Sequence, residues 1–68
     1  MNGKEFIRRS REWAKTHGAE LVVERSRGKG GHQMLRMGDG KTTVKTGEIG
    51  PGLLNAMLKQ LGIPKDEI

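Results

Sequence analysis

Apolar residues recur along this chain with two different periods, and the changes of period mark its elements. Phe6, Ile7, Ser10, Trp13 and Ala14 fall at helical spacing and predict one amphipathic helix. Asn2 is placed to cap it, with Glu5 three residues later in the capping-box position. Glu5 with Arg9 and Arg8 with Glu12 form i,i+4 pairs of opposite charge on its outer side. His17 falls in the last turn, where the helix dipole favours it, and Gly18 is the expected stop. From Ala19 to Arg25 the period drops to two, with Leu21 and Val23 on one face and Val22 and Glu24 on the other. A second strand runs from about His32 to Met37. Gly38-Asp39-Gly40 signals a hairpin, because Asp-Gly tolerates positive φ. Lys41 to Thr46, rich in β-branched residues, predicts the third strand. Pro51 suits the first position of a second helix, whose stripe is Leu53, Leu54, Met57, Leu58 and Leu61 and whose stop is Gly62. The segment from Pro64 to Ile68 is read as a last turn. No repeat, low-complexity tail or linker interrupts the pattern, so residues 1–68 read as one α+β domain of order α-β-β-β-α.

Three antiparallel strands have two faces, and two amphipathic helices cover only one of them. The other face stays wet. In the second strand Gln33, Leu35 and Met37 alternate against His32, Met34 and Arg36, and the set holding Arg36 is expected outward. In the third, Lys41, Thr43 and Lys45 form the outward set. A basic open face bearing a histidine follows, although a one-residue slip in register would reverse it.

Composition narrows the class further. With 68 residues, 32% of them hydrophobic, and a single Trp and a single Phe as aromatics, the core is thin. Its net stability is expected to be about a few kcal/mol. There is no cysteine, which rules out a disulfide framework and a thiolate metal site and fits a reducing cytoplasm. No apolar run is long enough for a signal peptide or a membrane span. Lys and Arg number 13 against 8 Asp and Glu, and the isoelectric point is near 10.1. Such an excess favours nucleic acid or an acidic protein as partner, although a well-solvated surface has the same composition.

The chemistry concentrates in Arg25-Ser26-Arg27-Gly28-Lys29-Gly30-Gly31-His32, a basic, glycine-rich loop that ends in a histidine. Histidine is the one side chain whose ordinary pKa, about 6.5, lets it serve as base or acid near neutrality. The cations would draw a phosphodiester to it, and the glycines let backbone N–H groups approach the anion. The combination suggests RNA cleavage without a metal. Taken alone, His32 reads more readily as an ordinary strand-edge histidine, the default for a lone histidine without recognisable partners. Arg27 and Lys29, with the N–H groups of Gly30 and Gly31, are candidates to stabilise charge on a phosphorane. Lys41 and Lys45 are weaker candidates for phosphate contact, because edge-strand lysines also block aggregation. The loop is no nucleotide-binding P-loop, since the Gly-Lys-Ser/Thr ending and the following helix are missing. Gly50-Pro51-Gly52 is explained by helix-start geometry as well as by anion binding. His17 is best explained by its helix position and Trp13 by the core. No His, Cys or carboxylate spacing indicates a metal site or another cofactor.

Together these residues resemble a known family. Gly28-Lys29-Gly30-Gly31-His32, Gly38-Asp39-Gly40-Lys41-Thr42-Thr43-Val44 and the stretch from Glu48 to Ile63, with its Leu58-Lys59-Gln60-Leu61-Gly62 segment, are similar to the HicA (YcfA-like) toxins. The resemblance extends from Met1 to the C-terminus. HicA proteins are small mRNA interferases of toxin–antitoxin pairs, with a fold like that of double-stranded-RNA-binding domains. The resemblance implies that His32 is the catalytic histidine, the general base on a ribose 2′-OH. It implies an endoribonuclease that leaves a 2′,3′-cyclic phosphate and a 5′-OH, and a HicB-type antitoxin as partner. Two positions depart from the pattern: Gly31 stands where many members carry serine, and Gln33 where a second histidine is common. Catalysis would then rest on one histidine.

Two other classes of function share these features. A non-catalytic RNA-binding module would have the same fold and charge without needing His32. An interaction protein would use the basic face only to dock an acidic partner.

Overall fold

The computed structural model describes residues 1–25, 32–45 and 47–68. Helix α1 (Gly3–Thr16) is followed by strands β1 (Leu21–Arg25), β2 (His32–Met37) and β3 (Gly40–Lys45), helix α2 (Pro51–Leu61) and a 3₁₀ turn over Lys65–Glu67. The strands form one antiparallel sheet in the order β1-β2-β3. This is the expected α-β-β-β-α order and an α+β fold.

Local chemistry accounts for the helix limits. Asn2 Oδ1 accepts the Glu5 N–H at 2.9 Å, satisfying one of the free donors of the first turn. His17 is the C-cap, and Gly18 follows at φ 67°, in the left-handed region. On the outer side of α1 both expected ion pairs form, Arg9–Glu5 at 3.0 Å and Arg8–Glu12 at 3.3 Å, and Arg8 also pairs with Glu5 at 2.7 Å. Hydrogen bonds from Arg8 first and Arg9 second hold the Glu5 carboxyl below its ordinary pKa. The stabilisation this linkage gives is present above the ordinary carboxylate range and is lost as pH falls through the lowered pKa. The pairs are solvated, so their effect is small. Pro51 opens α2 and Gly62 closes it at φ 80°.

The hairpin differs in one detail from the sequence reading. Met37 pairs with Gly40, so the loop is the two residues Gly38-Asp39, and the positive φ, 59°, belongs to Gly38. Glycine in the first central position is the pattern of a II′-type turn. Gly40 serves a different need: a Cβ there would run into the backbone carbonyl of Gln60, so the end of α2 lies directly on the hairpin. Two strand limits also move: β1 begins at Leu21, and β3 begins at Gly40. Thr46, the expected end of β3, lies outside the described residues.

The core lies between the sheet and the two helices. Phe6 and Ala14 from α1 meet Leu35, Met37 and Val44 from the sheet and Met57, Leu58 and Leu61 from α2, with Ile49 and Ile63 filling the ends. Ile7 and Trp13 are half-buried beside it, as is Leu54. Leu53 does not belong to this stripe, because 55% of it is exposed. Adjacent helical residues are about 100° apart, so with Leu54, Met57, Leu58 and Leu61 facing the sheet Leu53 turns to solvent. Asn2 bridges to Glu48, and the Gly3 N–H donates to the Gly47 carbonyl at 2.9 Å, which ties the start of α1 to the chain just beyond β3.

Candidate nucleic-acid interface

Pleating and register together define the open face of the sheet. Leu21, Val23, Leu35, Met37, Thr42 and Val44 point at the helices. Val22, Glu24, His32, Met34, Arg36, Lys41, Thr43 and Lys45 are left on the other side. The expected outward sets are therefore the outward sets. Arg36, Lys41, Thr43 and Lys45 are exposed, His32 and Met34 are half-buried, and Val22 is 41% exposed.

His32 is the first residue of β2 and stands directly across the ladder from Lys45. Lys41 is across from Arg36, and Thr43 from Met34. Arg36 Nε lies 3.1 Å from Glu24 Oε1, a diagonal ion pair between β2 and β1 that partly neutralises the hairpin end of the face. Neither Lys41 nor Lys45 has a carboxylate partner among the described residues. The uncompensated charge of the face is thus on β3. Gln33, in the position where a second histidine is common, lies on the opposite side with Leu35 and Val44. Its identity therefore takes nothing from the surface on which His32 stands.

Of the expected site residues, the fold sets His32 and Lys45 side by side and places Lys41 on the same face at the hairpin end. Arg27, Lys29, Gly30 and Gly31 lie outside the described residues. Arg36 and Met34 share the open face and were not among the expected contacts; the alternation that placed His32 outward places them there too.

A concavity of about 450 Å³ lies on the helical side and is lined in part by Arg8, Arg9, Glu12, Trp13, His17 and Glu67. At its floor the Trp13 indole and His17 imidazole stack, with centroids 4.0 Å apart and planes 18° from parallel. Trp13 Nε1 donates to Glu67 Oε1 at 2.9 Å. His17 Nδ1 lies 2.9 Å from the Trp13 carbonyl; a carbonyl only accepts, so Nδ1 carries the hydrogen. Both arginines are engaged by Glu5 and Glu12. The groove consequently has no spare positive charge for a phosphate, and His17 is held by its helix end, by the indole and by Glu67 at 3.4 Å.

The fold and this face define a small α+β protein with its helices on one side of the sheet and a bare, basic, histidine-bearing surface on the other. Residues 4–63 match the family described as the HicA toxin of bacterial toxin–antitoxin systems, and the chain belongs to that family. It is accordingly a toxin of a toxin–antitoxin system, with an antitoxin as partner. Comparison with curated proteins and with solved structures returned no match. Among the described residues no helix is long and apolar enough to cross a membrane.

Proposed function

We propose that this toxin is a metal-independent endoribonuclease that cleaves mRNA in the cytoplasm, with His32 as general base. The observation that carries this reading is the position of His32: half-buried at the edge of a solvent-facing sheet surface on which Lys41 and Lys45 have no described counter-charge. RNA supplies its own nucleophile. The 2′-OH already lies beside the phosphate, so an imidazole that removes its proton suffices, and no metal-bound hydroxide is required. The 2′-oxygen then bonds to phosphorus, the bond to the 5′-oxygen breaks, and the departing oxygen takes a proton from the His32 imidazolium or from water. The products are a 2′,3′-cyclic phosphate and a 5′-OH. Arg27, Lys29, Lys41 and Lys45 attract the backbone, and N–H groups of Gly30 and Gly31 are donors to the reacting phosphate.

The antitoxin in this reading is of the HicB type and covers the same face. Incubation of the purified protein with a defined RNA, followed by end-group analysis, tests the proposal. Cyclic phosphate and 5′-OH ends are expected. RNA that is bound but stays intact would make the protein a binding module instead.

A further inference from the structure

The register gives each cation of the open face a different neighbour. Arg36 sits at the hairpin end and spends part of its charge on Glu24, 3.1 Å away. Lys41 stands across from Arg36. Lys45 stands across from His32, and directly opposed side chains in an antiparallel pair have Cβ atoms about 4.5–5.5 Å apart. Lys41 and Lys45 are four residues apart on one strand, roughly 13 Å at the usual rise. Two ammonium groups anchored that far apart would meet different phosphates, and the one that stands beside His32 is Lys45.

The backbone beneath Lys45 is fixed. It is paired with β2 on one side, and its carbonyl lies so close to Gly3 in the first turn of α1 that a Cβ there would clash with it. The side chain itself is exposed and has no carboxylate partner among the described residues. A cation on a fixed backbone, free of a counter-ion and one strand spacing from the base, is suited to meeting charge that develops during reaction.

Resting on the endoribonuclease reading above, we propose that Lys45 is a second catalytic residue. Its ammonium donates to a non-bridging oxygen of the phosphate under attack, and this contact strengthens as the phosphorane forms. The proton of the 2′-OH goes to His32, the new bond joins the 2′-oxygen to phosphorus, and the electron pair of the broken bond leaves on the 5′-oxygen, which is protonated by the imidazolium or by water. Lys45 keeps its own proton throughout. Lys41 holds a phosphate farther along the strand and contributes to binding alone. An edge lysine whose purpose is only to prevent strand pairing would leave the rate of the bound complex untouched.

The test compares Lys45→Met, Lys45→Arg and Lys41→Met in cleavage of a defined RNA, with kcat and KM separated. Removing one stabiliser of this kind costs about 100- to 1,000-fold in kcat. Lys45→Met should lose that much kcat with a much smaller change in KM, and Lys45→Arg should recover part of it. Lys41→Met should chiefly raise KM. A phosphorothioate at the scissile phosphate adds a readout that a structural role would not move. The wild type should cleave one diastereomer more slowly than the other, and Lys45→Met should lose that preference. Should Lys45→Met fail to fold, Lys45→Arg carries the comparison, because it keeps the charge while moving the donor and should alter the preference. Wild-type kcat in folded Lys45→Met, or an unchanged diastereomer preference in either variant, would overturn the role of Lys45. If His32→Ala is dead in the same assay, the endoribonuclease reading survives that result. A wild-type protein that cleaves no RNA removes both.

Discussion

Truncation of His32 to alanine should separate chemistry from folding, and the two faces of β2 supply the scale. His32 is half-buried on the open face, whereas Leu35, three residues along the same strand, is 0% exposed and packs into the core. Substitutions on a surface usually change stability by no more than about 0.5 kcal/mol, and Leu→Ala in a core costs about 2–5 kcal/mol. In a domain of this size each kcal/mol moves the melting temperature by roughly 4–8 °C. His32→Ala should therefore melt within about 4 °C of the wild type. Leu35→Ala should melt at least about 8 °C lower, and it approaches complete unfolding if the whole stability is the roughly 3–10 kcal/mol usual for this length. Loss of a general base, by contrast, lowers the rate by about 10²- to 10⁴-fold. Circular dichroism melts run beside single-turnover cleavage of a defined RNA read both quantities from one preparation. Undiminished cleavage by a folded His32→Ala protein would refute the catalytic assignment. A melting drop as large as that of Leu35→Ala would instead give the imidazole a structural role.

Cleavage should persist in chelator and stop when the scissile nucleotide is 2′-deoxy; activity lost in chelator and restored by Mg²⁺ on a folded RNA would refute the mechanism. RNA affinity should fall with salt, and Arg27→Ala or Lys29→Ala should each reduce the slope of log K against log salt by about 0.7 for a single strand, across unrelated sequences. An affinity flat with salt would reject the basic-face model. The antitoxin should present acidic groups to the His32 face and raise the melting temperature of the toxin by mass action. Hydrogen exchange on the complex should show protection over residues 27–37, and protection confined to the helices with activity fully blocked would make masking untenable.

The elements and the open face were legible in the sequence because caps and periods are local. Asn2, Gly18, Pro51 and Gly62 act where they stand, and alternation fixes which side of a strand is apolar. The pairing of His32 with Lys45 was not legible, because it depends on loop length. With Gly38-Asp39 as a two-residue loop, His32 faces Lys45. A three-residue loop over Gly38-Asp39-Gly40 would set His32 against Thr46 and turn the lysines towards the core side. Leu53 was misread because a helical stripe shows which residues neighbour one another, and not how far the other layer extends beneath them. The bond between Trp13 and Glu67, 54 residues apart, comes from tertiary docking of the C-terminal turn and has no local signal.

That docking leaves the molecule with an internal reporter. Trp13 is the single tryptophan of the chain, and its indole is held between the His17 ring and the Glu67 carboxylate. It belongs to the helical layer, while Arg36, Lys41 and Lys45 project from the far surface of the sheet. Emission from this fluorophore consequently follows release of the C-terminal turn and loss of the core, and a ligand seated on the sheet leaves it unquenched. Optical titrations of RNA binding need a dye on the nucleic acid, and the native indole then monitors, in the same cuvette, whether the protein has stayed folded.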